Sequence, residues 1–102
     1  MAHAQWQQPS EDKIILLGAL DRDTVPELWP LAQQWKPAAE QVEVALDKVG
    51  RVDSAGMVML IHLIEHAKKQ NCHIMLSFVP EQLSTLFQLS NVSQILAKHI
   101  KR

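Results

Sequence analysis

The chain has 102 residues, about one domain's worth, with 47% apolar and 21% charged side chains, an ordinary globular balance that argues against disorder. Ten basic and eleven acidic residues leave a formal charge of −1, which excludes a strongly basic nucleic-acid binder. The lone Cys72 excludes an intrachain disulfide framework and fits a reducing compartment. No apolar run exceeds seven residues, the length of Ala55 to Ile61, which ends at a histidine, against the roughly 20 needed to span a bilayer. Met1-Ala2-His3-Ala4-Gln5-Trp6 lacks the basic start and apolar core of a signal peptide. The expectation is a small, soluble, intracellular domain occupying residues 1–102.

Trp6-Gln7-Gln8 is weakly strand-like, Pro9-Ser10-Glu11-Asp12 reads as a turn, and Lys13-Ile14-Ile15-Leu16-Leu17 is a strand-length apolar run. Together they predict a hairpin. Gly18 ends the run, where a side chain would crowd a neighbouring backbone. Thr24 and Glu27 have capping-box spacing ahead of Leu28, Leu31, Ala32 and Trp35, which recur with helical period. Pro30 within that helix predicts a kink or a late start, and Lys36-Pro37 ends it. Val42, Val44 and Leu46 alternate with polar or small residues as a strand, broken at Gly50-Arg51-Val52-Asp53. A helix follows from Ser54 to about Gln70, with Asn71 as its stop. Cys72–Val79 is β-prone, Pro80 opens a helix carrying Leu83, Leu86 and Phe87, and a last short helix carries Val92, Ile95, Leu96 and Ile100. The order β-β-α-β-α-β-α-α implies an α/β fold. Its sheet should be mixed and mostly parallel, with right-handed crossovers, helices packed against it and one antiparallel hairpin at the start.

Charge is unevenly spread. Residues 1–66 carry five basic and ten acidic side chains, and residues 67–102 carry five basic ones against Glu81 alone. A solvated surface accounts for this. The alternative is a two-signed molecule that orients against a partner, or a Lys98/Lys101/Arg102 tail near anionic lipid, but that tail is too short to argue membrane binding by itself.

The three glycines are scattered, so no phosphate-cradling or dinucleotide loop is present, and no CxxC pair or Gly-x-Ser-x-Gly elbow occurs. Two Phe, three Trp and no Tyr make a poor base-stacking platform. Catalysis is not expected, and no cofactor is implied. His62-Leu63-Ile64-Glu65-His66 matches the H-x-x-E-H pattern of inverted zinc peptidases. A zinc hydrolase would need a third ligand, and Glu81 is the sole acidic residue downstream. A solvated stripe, with Glu65 and Lys69 in favourable i,i+4 order, is the simpler reading, and Cys72 reads as a small strand hydrophobe rather than a reactive thiol.

The segment after Ser54 says most. Met57, Leu60, Ile61, Leu63, Ile64 and Ala67 fall on one broad helix face, with His62, Glu65, His66 and Lys69 opposite. Val58 and Met59 break the pattern, lying among the polar residues of the first two turns. Either a neighbouring element covers them or they form a docking patch. Ser54 likewise has two readings. As N-cap it would accept a first-turn amide; as a functional residue it would present a hydroxyl at the positive helix end, where phosphate or a partner carboxylate is welcome.

Leu17-Gly18-Ala19-Leu20-Asp21 and Arg51-Val52-Asp53-Ser54-Ala55-Gly56, set in this order of elements, resemble the STAS family, named for sulfate transporters and anti-sigma-factor antagonists. The resemblance covers roughly residues 5–100. Arg51-Val52-Asp53-Ser54, Leu60-Ile61-His62-Leu63-Ile64 and Ala67-Lys68-Lys69-Gln70, with Leu28-Trp29, look like the branch that serves phospholipid-transport ABC systems. That implies a non-enzymatic cytoplasmic subunit bound to the transporter's ATPase and, through it, to the permease, without inserting in the membrane. In that branch the hydroxyl residue after the aspartate, here Ser54, matters for engaging the ATPase. Anti-sigma-factor antagonists of the family are phosphorylated on a second hydroxyl residue, and here that position is Ala55, so a partner-switching module is the alternative. The expected partner surface is Asp53, Ser54, Ala55, Val58, Met59 and His62, with Val58→Glu or Met59→Glu breaking docking while sparing the fold.

Overall fold

The computed structural model describes residues 4–101. Four strands, β1 (Trp6–Ser10), β2 (Lys13–Leu20), β3 (Gln41–Val52) and β4 (His73–Ser77), alternate with helices α1 (Val25–Gln34), α2 (Ser54–Lys68), α3 (Glu81–Leu89) and α4 (Ser93–Leu96). A 3-10 turn, Ala97–His99, closes the chain. The strands lie in sequence order in one sheet, β1 antiparallel to β2 and the other pairs parallel. The expected mixed sheet and element order are therefore present.

Each parallel crossover advances one strand in the same direction. Right-handed connections of that kind place α1 and α2 on one face of the sheet. Burial agrees: Ile14, Leu16 and Leu20 of β2, Val42, Val44 and Leu46 of β3, and Ile74 and Leu76 of β4 are inaccessible or nearly so. Leu28, Leu60, Leu63, Leu83 and Phe87 meet them from the helices, and burying each such side chain contributes roughly 1.5–3 kcal/mol before entropy is counted.

Several boundaries differ from the expectation. The hairpin turn is only Glu11-Asp12, because Pro9 is tolerated in β1, an edge strand; Ser10 Oγ donates to Asp12 Oδ1 across the turn, 2.7 Å. α1 starts at Val25 and continues through Pro30, whose ring lies on an exposed side. Thr24 is its N-cap but caps no amide: its hydroxyl donates to the Ala19 carbonyl, 2.8 Å. Asp21 Oδ1 shapes the turn ahead of the helix, accepting from the amides of Asp23 and Thr24 at 2.9 and 3.1 Å. β3 runs unbroken through Gly50 to Val52 because β2 pairs with it along that stretch, Gly18 with Val49 and Leu20 with Val52. β4 begins one residue after Cys72, which is buried, so burial pushes its thiol pKa up. Asn71 takes up the left-handed conformation, φ 60°, in the turn that follows α2.

Gly18 serves conformation rather than crowding. Its φ is +74°, and a Cβ there would make only ordinary contact, 3.5 Å from Gln5 Nε2. It forms a bulge, where the β2–β3 register slips between Gly18 and Ala19. The Gln5 side-chain amide pins that bulge by donating to the carbonyls of Leu17 and Ala19, 3.1 and 2.6 Å.

Candidate functional site

The start of α2 is built on Asp53, not Ser54. Asp53 is the N-cap, and its Oδ1 accepts from the amides of Ala55 and Gly56 at 2.8 and 3.2 Å. Its other oxygen accepts from the Arg22 amide, 3.2 Å, and its own amide donates to the Leu20 carbonyl, also 3.2 Å. Asp53 thus joins the end of β2 through its amide, and the following loop and the helix start through its carboxylate. Partial burial raises the carboxyl's pKa, but the amides of Gly56, Arg22 and Ala55 and the charge of Arg51 outweigh it and hold Asp53 below its ordinary value.

Asp53→Ala is therefore expected to cost about 1–2 kcal/mol, the upper range for a lost N-cap, read by urea denaturation at neutral pH. The sign of the linkage follows from the lowered pKa. The stabilisation is present above the ordinary carboxyl value of 3.8 and is lost as pH falls through the lowered one.

Gly56 explains how the helix start can come so close. A Cβ at this position would collide with the Leu20 carbonyl oxygen, and it would lie 2.8 and 2.9 Å from the Leu20 carbonyl carbon and Cβ. Sequence reasoning missed this. A glycine in the first turn of an otherwise strong helix was the available signal, since glycine costs a helix roughly 1 kcal/mol relative to alanine. From the other side, Gln82 of α3 accepts from the Val52 amide through Oε1, 3.0 Å, tying α3 to the same junction.

With Asp53 and Gly56 engaged internally, the remaining expected residues separate. Ser54 occupies the first helical position and is exposed; Ala55 is half-buried. Val58 is 44% exposed and His62 is exposed. Ser54, Val58 and His62 stand four residues apart and form a ridge along one side of α2. Met59 does not belong to it. It is 2% exposed because α1 lies along that side of α2, placing Trp29 against His62 with ring centroids 5.8 Å apart and Trp35 near His66 at 6.4 Å. The expectation that Met59 forms part of the surface is therefore corrected, and so is Met59→Glu as a surface probe, since it would bury a carboxylate in the core. Half-buried Trp29, not among the expected contacts, extends the ridge sideways through His62.

The ridge is suited to contact rather than to chemistry. Two of the first-turn amides, those of Ala55 and Gly56, are occupied by Asp53, whose negative charge also opposes an incoming anion. The H-x-x-E-H residues are not assembled as ligands. His66 Nε2 lies 2.8 Å from the Trp35 carbonyl oxygen and 2.8 Å from the Gln70 side-chain nitrogen, so its ring links α2 to the end of α1. Among the described residues, no group of three or more His, Cys, Asp or Glu side chains could hold a metal ion, and no helix is long and apolar enough to cross a membrane.

Comparison with known proteins identifies the family. The family model described as "Mlab, STAS domain" matches residues 3–97. The intermembrane phospholipid transport system binding protein MlaB of Escherichia coli (strain K12) is 34% identical over 87 residues, covering 85% of this chain and 87% of that protein. The protein of the same name from Haemophilus influenzae is 31% identical over 99 residues, 91% of this chain and 94% of the other. The fold matches the anti-sigma factor antagonist SpoIIAA in its unphosphorylated form with a TM-score of 0.71, over 95% of this chain and 84% of that one, at 14% identity.

Proposed function

The chain belongs to the MlaB STAS-domain family, and on that footing we propose that it is a non-enzymatic subunit of an ABC phospholipid transporter, docked on the ATPase at the cytoplasmic face of the membrane. The MlaB relatives are named as parts of an intermembrane phospholipid transport system, which supports membership of such a system. The observation that carries the ATPase-docking reading is the exposed ridge of Ser54, Val58 and His62 beside Trp29. It is an apolar and hydrogen-bonding surface raised on a helix start whose Asp53 and Gly56 are consumed by the fold.

The mechanism is one of contact. The chain has no nucleotide loop of its own, so it acts by binding one arrangement of the ATPase more tightly than others, and that differential affinity shifts the population toward the bound arrangement. The permease is reached through the ATPase, with no insertion of this chain into the bilayer and no nucleic acid involved. Ala55 stands where a phosphorylatable hydroxyl would sit in a partner-switching antagonist, which speaks against that second reading.

The test is size-exclusion chromatography of the purified chain mixed with the purified ATPase of the transporter. Co-elution in a single earlier peak is the expected result. Two unchanged peaks at micromolar concentrations of both would refute the docking.

A further inference from the structure

The far end of the molecule from the ridge holds a second pair of aromatic rings. His73 of β4 and His99 of the closing 3-10 turn stack with centroids 4.5 Å apart and planes inclined by 24°. His99 is 4% exposed, and its Nδ1 lies 2.9 Å from the Ile74 carbonyl. His73 Nε2 lies 2.9 Å from the Lys98 carbonyl. Both partners are acceptors only, so each of these nitrogens carries a proton and donates. In the neutral rings that fixes the tautomers: Nδ1–H on His99 and Nε2–H on His73. The two bonds run in opposite directions between β4 and the closing turn, so the rings clasp one to the other.

What they clasp is the C-terminal segment. Beyond His99, Ile100 bridges Leu76 in parallel register and the Lys101 amide donates to the Leu76 carbonyl at 2.8 Å. The segment thereby covers the outer edge of β4, and Leu96 reaches the core at 3% exposure. On its inner side a cleft of about 370 Å³ opens between α2 and the segment, lined by Ile61, Ile64, Glu65 and Lys68 facing Ile95 and His99.

We propose that the His73–His99 stack is a proton-operated latch, which holds residues 93–101 on β4 while His99 is neutral and releases them when His99 is protonated. Protonation of His99 would place a cation in a site only 4% exposed, stacked at 4.5 Å on the His73 ring, where little water can solvate it. The surrounding charges bear on it too. Lys68 from α2 and Lys98 from the closing turn line the second cleft around this pair, with Glu40 ahead of β3 and the uncharged Cys72 ahead of β4. Glu65 of α2 faces His99 across the first cleft. Two lysines thus oppose the additional charge and two exposed glutamates temper it.

Burial lowers the pKa of His99 first of all. The hydrogen bond to Ile74 works the other way, and the charges of His73, Lys98 and Lys68 lower it further. A histidine held below its ordinary value of 6.5 stabilises the docked form above that value and loses the contribution as pH falls through the lowered one. Release then uncovers Ile61, Ile64 and an unpaired strand edge, a surface able to pair with another chain.

The experiment is amide hydrogen exchange by NMR on the intact chain between pH 7 and 5.5, with rates divided by the intrinsic rate at each pH. Protection of the Lys101 and Leu96 amides should fall at least tenfold over this range while that of Val44 in β3 holds. His99→Asn places an uncharged donor where Nδ1 stands and should abolish the fall; His73→Gln does the same for Nε2 and should shrink it several-fold. The latch is overturned by unchanged wild-type protection, by a parallel loss at Val44, or by an equal loss in His99→Asn. Should His99→Asn fail to fold, an equal loss in His73→Gln overturns it.

Discussion

Gly56→Ala is expected to destabilise the domain by about 3 kcal/mol, the upper part of the range for overpacking a tight contact. The added methyl would collide with the backbone carbonyl of Leu20, which is no flexible side-chain end that could swing aside. Nor can the strand retreat easily. Leu20 is paired with Val52 and its carbonyl already accepts from the Asp53 amide. Moving α2 outward would instead stretch the bonds from Ala55 and Gly56 to Asp53 and thin the packing of Leu60 and Leu63 on the sheet. Urea denaturation of the two proteins measures the difference. Gly50→Ala is the control, because nothing lies within 4 Å of the Cβ it would add; it should change stability by no more than about 0.5 kcal/mol. Equal stabilities for Gly56→Ala and wild type would show that α2 does not need the close approach described here.

Val58→Glu should leave the fold intact and weaken binding to the ATPase at least tenfold. Val58 is 44% exposed in the isolated chain, and glutamate is a better helix former than valine, so the urea midpoint should move little. In a complex the same position would lie within an apolar contact, where a carboxylate without a partner costs roughly 2 kcal/mol or more. Ser54→Ala provides a graded companion. Since Asp53 and not Ser54 caps the helix, the change should cost the fold under about 0.5 kcal/mol, and any loss of affinity reports on the contact itself. Titration calorimetry against the ATPase, alongside urea denaturation, separates the two effects. Unaltered affinity in Val58→Glu would remove the ridge from the interface.

The sequence and the structure agree best where burial governs periodicity. Met57, Leu60, Leu63, Ile64 and Ala67 were legible as the inner face of α2 because a helix against a sheet must bury one stripe. The strands emerged for the same reason, and alternating strands and helices implied a mostly parallel sheet with right-handed crossovers, whereas the order of the strands within it is a finding of the structure. What escaped depended on contacts between distant segments. Met59 reads as a polar-side exception until α1 is placed beside it, and nothing local to residues 54–62 announces where α1 will lie. The choice between Asp53 and Ser54 as cap is invisible to spacing, because both residue types cap well; the bonds from Asp53 to Ala55, Gly56 and Arg22 decide it. Gly50 was read as a strand breaker, yet the long register with β2 carries β3 through it, an instance of pairing overriding local preference. The proposed site keeps its expected place along the chain, the first two turns of α2. Its composition was corrected by tertiary packing, which removed Met59 and added Trp29.

The central claim, that the Ser54–Val58–His62 ridge docks this chain on an ABC ATPase, is tested most directly by affinity capture. The tagged chain and its Val58→Glu variant would be recovered in parallel from native cytoplasmic and membrane extracts, and their partners identified by mass spectrometry. The account predicts an ABC ATPase together with its permease on the wild-type chain and their loss from the variant. Recovery of a kinase-like anti-sigma factor in their place, or of the ATPase at full yield on Val58→Glu, would contradict it.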